Sequence, residues 1–157
     1  MKNSQIIKKY YKAFEKGDSK KMNSFYSNDI EFEDPSIGKI EGDEAKYWWQ
    51  FLCDNSVDLS IDIEKIQADD EKGIALWTNN YTFEETGNHI SLEIVSKFYF
   101  EDGEIVKHQD EYDVKSFVKQ AFGSAAGLVG GSFLVKKTVR SQSKKLLKKY
   151  IKENDLL

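Results

Sequence analysis

Apolar residues recur at helical spacing at Ile6, Ile7, Tyr10, Tyr11 and Phe14, and Lys16-Gly17 then supplies a stop. Asp18 or Ser19 caps a second helix that turns Met22, Phe25 and Tyr26 inward, and Ser27-Asn28-Asp29 breaks it. Ile30, Phe32 and Asp34 alternate with Glu31 and Glu33, which reads as a short strand stopped by Pro35. Gly42-Asp43 caps a third helix, rich in aromatics at Tyr47, Trp48, Trp49 and Phe51. Strands dominate next. Val57, Leu59, Ile61 and Ile63 alternate with Asp58, Ser60, Asp62 and Glu64, a strand with one wet face. A turn over 69–73 leads to a second strand over 74–85, and Thr86-Gly87-Asn88 turns into a third over 90–100. Glu101-Asp102-Gly103 is a tight hairpin signal, and 104–112 returns as the fourth. Three helices followed by an antiparallel meander predict an α+β domain whose sheet curls around the helices and encloses a small-molecule pocket.

The pattern changes after Val114. Residues 116–135 carry one charge, Lys119, and place Gly123, Gly127 and Gly131 four apart. Residues 136–152 read as a basic amphipathic helix with Val139, Leu146, Leu147, Tyr150 and Ile151 apolar. Charge follows the same boundary. The net charge of −4 conceals −12 over residues 1–113 and +8 over residues 114–157. A solvated charged face is the simplest reading of this arm. It can also serve as a lid or dimer arm over the mouth of an acidic body, or as a peripheral contact on an anionic membrane. Nucleic acid is not expected, because the body lacks a basic face and the arm has only Tyr150 for stacking.

Composition narrows the chemistry. With 157 residues, 39% of them hydrophobic, the chain can fill one core and not two ordinary ones. Three Trp, eight Tyr and ten Phe favour a large core or an aromatic-lined cavity. Cys53 is the single cysteine, which excludes an intrachain disulfide and a cysteine-based metal site. His108, Asp110 and Asp34 fall in no recognised ligand spacing, so no metal and no cofactor are expected. Charge at Lys8 and Lys9 precedes any long apolar run, and a cytoplasmic setting is the expectation.

Two stretches carry a family resemblance. Tyr10-Tyr11-Lys12-Ala13-Phe14-Glu15-Lys16-Gly17-Asp18, followed by Phe25-Tyr26-Ser27-Asn28-Asp29-Ile30-Glu31-Phe32-Glu33-Asp34-Pro35, resembles the entry to the nuclear transport factor 2-like superfamily, above all in Glu33-Asp34-Pro35. The run from Phe98-Tyr99-Phe100 through Gly103 to Asp110-Glu111-Tyr112-Asp113 resembles the last hairpin of its SnoaL-like members. The SnoaL-like and ketosteroid isomerase-like branch is the nearest. The resemblance implies a cone-shaped, mainly antiparallel sheet around the N-terminal helices (a cystatin-like α+β roll) over residues 1–115, with 116–157 as an extra helical arm. It also implies a homodimer through the outer sheet face and a pocket for a small apolar molecule.

By the same resemblance Asp34 falls on a proton-shuttling base and Tyr10 on an oxyanion-binding tyrosine. Ser96 stands where the isomerases place a protonated aspartic acid, and a hydroxyl is the weaker donor, which argues against steroid isomerisation. Val106, His108, Asp110 and Tyr112 share one strand face, so His108 and Asp110 can activate water or shuttle a proton, or form a buried polar network. Phe14, Trp48, Ser96, Phe98 and Tyr112 are expected to line the pocket. Trp48 and Trp49 cannot both face one way, and Trp77, Asn79, Tyr81 and Phe83 share a face that is either pocket or dimer surface. His89 falls in a turn and is expected to be solvated. The implied function is proton transfer or water activation on an apolar cyclic or polyketide-like substrate; the alternative is a non-catalytic ligand-binding and dimerisation module.

Overall fold

The computed structural model describes residues 1–123 and 131–156. Helix α1 (Asn3–Glu15) starts where the Gln5 side chain accepts from the Lys2 backbone N–H, and it ends at Gly17 with φ +70°. Asp18 caps the short α2 (Ser19–Asn23) through the Lys21 N–H. The strands are β1 (Tyr26–Asp34), β2 (Gly38–Glu41), β3 (Val57–Ala68), β4 (Lys72–Thr82), β5 (His89–Glu101) and β6 (Glu104–Glu111). Helix α3 (Gly42–Asp54) joins β2 to β3, and α4 (Val114–Phe122) and α5 (Ser132–Glu153) follow the sheet.

The six strands form one curved sheet in the order β2-β1-β6-β5-β4-β3. The long hairpins are antiparallel as expected, but β1 joins the sheet parallel to β6. That pairing also moves the start of β1. Phe25 and Tyr26 are not on the second helix; Tyr26 already pairs with Ile105, and the Ser27-Asn28-Asp29 break is an irregular stretch within the strand. The β2 strand, absent from the sequence reading, doubles back on β1 through the Pro35–Ile37 turn.

Two bulges reset the alternation. The β5–β6 register shifts between Tyr99 and Phe100, so Ile105 is buried and Val106 leaves the face it was expected to share with His108, Asp110 and Tyr112. In β3 a shift between Ile63 and Lys65 leaves Ile63 exposed and turns Ile66 towards the core instead. Among the described residues of the 116–135 stretch, 116–122 belong to helix α4, with Asp113 as cap; Gly127 lies outside the described residues.

The concave face holds the core. Ile7, Tyr10, Tyr11 and Phe14 of α1 pack on Phe32, Trp49, Trp77 and Phe98, mostly edge to face. The arm is docked. Val135 packs with Val114 and Val118 of α4, Leu147 joins the main core, and the Tyr150 hydroxyl donates to Asp54 Oδ2 at 2.5 Å. No helix among the described residues is long and apolar enough to cross a membrane.

Gly73 shows how closely α1 meets the sheet. A Cβ there would lie 2.5 Å from Ile7 Cδ1, with Ala68 Cβ and Phe100 Cε2 at 3.3 and 3.4 Å. Gly73→Ala should therefore destabilise the fold by about 1–3 kcal/mol in urea melts. Ile7→Val removes that Cδ1, and the double variant should be more stable than the sum of the two single losses. Strict additivity would show that the contact does not set the spacing.

Candidate functional site

The elements converge on a cavity of about 350 Å³ between α3, the concave sheet face and α5. Its walls are Phe14 from α1, Trp48 and Trp49 from α3, Trp77, Asn79 and Tyr81 from β4, and Leu92 and Ile94 from β5. Asp34, Ser36, Asp110 and Tyr112 form the polar part. Val139, Ser143 and Leu146 of α5 complete the lining, so the C-terminal arm is part of the cavity wall.

Register places the two aspartates side by side. Phe32 pairs with His108 and Glu33 with Gln109 along the parallel β1–β6 ladder, and one residue further sets Asp34 beside Asp110. Ser96 faces Asp110 from β5, extending the polar row across three strands.

Asp34 ends β1 before Pro35. Its Oδ1 accepts the Ser36 N–H at 2.8 Å and the Ile37 N–H at 2.7 Å, closing the turn into β2. Its Oδ2 has no hydrogen-bond partner among the described residues. Burial raises the Asp34 carboxyl to about 7, with the Asp110 charge adding, against the two N–H bonds and the positive charge of Arg140. The side chain is both a turn former and a cavity group. Tyr112 shares a hydrogen bond with Ser36 at the same edge, and burial holds its phenol well above the usual range.

Asp110 opens onto a different set of partners. Its Oδ1 accepts from Ser96 Oγ at 2.5 Å and lies 2.8 Å from His108 Nε2. Ser96 Oγ itself accepts from the Tyr11 hydroxyl at 2.6 Å and the Trp77 indole N–H at 2.8 Å. His108 Nδ1 lies 2.7 Å from the Tyr26 hydroxyl, which lies 2.9 Å from that of Tyr10. With the His108 proton on Nε2, every group has a partner and each donor points along the chain towards Asp110. His108 is fully buried, stacked on Phe98 at 4.2 Å and beneath Trp49 at 5.9 Å.

The expected site residues therefore separate into two layers. Asp34, Asp110, Phe14, Trp48 and Tyr112 line the cavity. Tyr10, His108, Ser96 and Phe98 lie behind the wall, fully buried, and reach it through Asp110 or by packing. Ser36, Leu92, Ile94 and Ser143 also line the cavity, and none of them was expected there. Leu92 and Ile94 share the β5 face with Ser96, which was visible from alternation; nothing local marks Ser143. Trp77, Asn79, Tyr81 and Phe83 all face the cavity. Trp48 and Trp49 were expected to face apart, yet both reach it: adjacent helical positions are about 100° apart, and the long indoles meet the cavity from two sides, Trp48 stacked on Phe51 and Trp49 against Phe14 and Phe32. His89 is exposed, at the start of β5. Among the described residues no group of three or more His, Cys, Asp and Glu gathers as metal ligands.

Comparison with known proteins agrees with this architecture. Residues 7–108 match the model of the SnoaL-like domain. A Burkholderia pseudomallei protein of unknown function, described as nuclear transport factor 2-like, superposes with a TM-score of 0.69 at 20% identity, over 78% of this chain and 99% of its own. A Catenulispora acidiphila protein with a ketosteroid isomerase-like fold, solved with trimethylamine, gives 0.68 at 16% identity, over 76% and 94%. An epoxide hydrolase of M. tuberculosis gives 0.64 at 17% identity, over 80% and 92%. Among curated proteins none matches the sequence. The matched segment runs from Ile7 of α1 to His108 of β6 and carries most of the sheet, Asp34 and the aromatic wall of the cavity: the chain belongs to the SnoaL-like domain family.

Proposed function

We propose that the cavity binds a small, mostly apolar cyclic molecule and that Asp34 moves a proton on it or on a water held against it. The observation that carries this reading is the Asp34 carboxyl itself. It sits in a largely aromatic wall, fixed through Oδ1 by two backbone N–H groups, with its affinity for a proton raised to about 7. A base poised near neutral pH both takes and returns protons. Asp110, one strand away, is the second carboxyl within the cavity wall, positioned by Ser96 and His108. The hydroxyls of Tyr112 and Ser36 line the same polar part of the cavity and share one hydrogen bond, which leaves one proton of the pair for an oxygen that gains charge.

One observation favours the non-catalytic alternative. The two donors expected from the resemblance, Tyr10 and Ser96, face away from the cavity and are hydrogen-bonded to Tyr26 and Asp110. A ligand held here without reaction would need neither.

Asp34→Asn separates the readings. Against a panel of cyclic enones, epoxides and hydroxylated rings, the variant should lose about 100-fold or more in turnover while ligand-induced tryptophan quenching changes little. Wild-type activity should rise with pH through about 7, as Asp34 ionises. Turnover that survives the substitution would leave the binding module as the function.

Stability reports the same proton. The folded-state value of about 7 lies above the ordinary 3.8, so folded Asp34 binds its proton more tightly than the unfolded chain does. Its contribution is present below pH 4 and is lost as pH rises through 7. Asn in its place keeps the Oδ1 acceptor and carries no charge. Urea melts should therefore show Asp34→Asn more stable than wild type at pH 8.5, on the order of 2 kcal/mol, with the gap shrinking below pH 7 and closing towards pH 4. A gap that does not depend on pH would place Asp34 in water.

A further inference from the structure

The charged residues lining the cavity are of one sign. Asp34 and Asp110 stand in the wall, and Glu84 and Glu85 come from the β4–β5 connection; no Lys, Arg or His joins them among the described residues. Asp34 and Asp110 are 8% and 6% exposed, on adjacent strands of the same face. Two carboxylates so placed repel each other across a medium that screens them poorly.

The nearest positive groups lie outside the cavity, and Arg140 offsets the Asp34 charge only in part. Lys136 and Arg140 of α5 line an adjoining cleft that also reaches Asp34 and Asp110. Arg140 Nε donates to the Pro35 carbonyl at 3.4 Å, and neither residue makes an ion pair with a carboxylate among the described residues.

The rest of the wall is aromatic. Phe14, Trp48, Trp49, Trp77 and Tyr81 supply ring surface that attracts cations as well as apolar skeletons. Separate groups of the wall also lack a partner: Asn79 Oδ1 and the indole N–H groups of Trp48 and Trp49 are buried with no hydrogen bond among the described residues.

We infer that the ligand of this cavity is an organic cation, an apolar or aromatic skeleton bearing an ammonium group that sits between the aromatic wall and the Asp34–Asp110 pair. A neutral ligand would bring no positive charge to the two carboxylates, and an anion would meet four of them. The inference rests on the reading of this cavity as the ligand site and specifies the class of molecule it takes.

Three probes of similar shape test it at pH 8 by quenching of tryptophan fluorescence: benzyltrimethylammonium, its neutral isostere neopentylbenzene, and phenylacetate. The cation should bind at least about tenfold more tightly than the neutral isostere, with phenylacetate weakest. Asp110→Asn should lower the cation affinity about tenfold and leave the isostere within about twofold. Because that substitution touches the buried network, Glu84→Gln with Glu85→Gln, both exposed, provides a second arm: a severalfold loss for the cation alone. Leu146→Trp, at the half-open edge, should weaken both probes and so place them in the cavity. An isostere that binds as tightly as the cation, a preference for phenylacetate, or cation binding that ignores Leu146→Trp would overturn the inference while leaving a pocket. If neither the cation nor the isostere binds, the reading of the cavity as a ligand site falls, and this inference with it.

Discussion

Asp110 stands where the aromatic core meets the cavity, and one of its oxygens accepts from both Ser96 and His108. From that oxygen the hydrogen bonds run inward to Tyr26 and Tyr10 on one branch and to Tyr11 and Trp77 on the other. The chain joins α1, β1, β4, β5 and β6, and almost all of it is shut off from solvent. In such surroundings a hydrogen bond is strong and an unmade one costs about 1–3 kcal/mol. The relative placement of helix and sheet is thereby tied to the position of a single carboxylate in the cavity wall.

The neighbouring carboxylate is held by other means. Asp34 takes its bonds from the backbone of the turn it initiates, so its geometry is local while its proton affinity comes from burial. The β1–β6 register then brings a locally held acid beside a network-held one. Two groups of one chemical type so differently supported are suited to different roles. The arm contributes Val139, Ser143 and Leu146 to the same space, so part of the cavity wall lies outside the segment that matches the SnoaL-like family.

Much of the fold was legible in the chain. Ile6 to Phe14 repeat at the helical period and Ile90 to Phe100 at the strand period, because each element buries one face of its own. Asp34-Pro35 and the shared face of His108 and Asp110 were visible for the same reason. The parallel partner of β1, the short β2 and the bulge that removes Val106 from its expected face were not. Pairing partners and register shifts are settled between strands distant in sequence, and alternation within one strand is silent about them.

Element types, the division into an acidic body and a basic arm, and the inventory of groups able to carry chemistry are all written along the chain. Periodicity, capping and charge are properties of neighbours along the chain, and they survive without a partner. Which of those groups reach the cavity depends on contacts between elements far apart in sequence. Tyr10 and Ser96 have the hydroxyls and the inward faces expected of cavity donors, yet both are buried behind the wall, with Ser96 donating to Asp110 and Tyr10 bonded to Tyr26. Asp34 and Asp110 line the space that α5 closes. The physical reason is saturation: a hydroxyl has one proton to donate, and where it goes depends on which acceptor the fold sets within 3 Å.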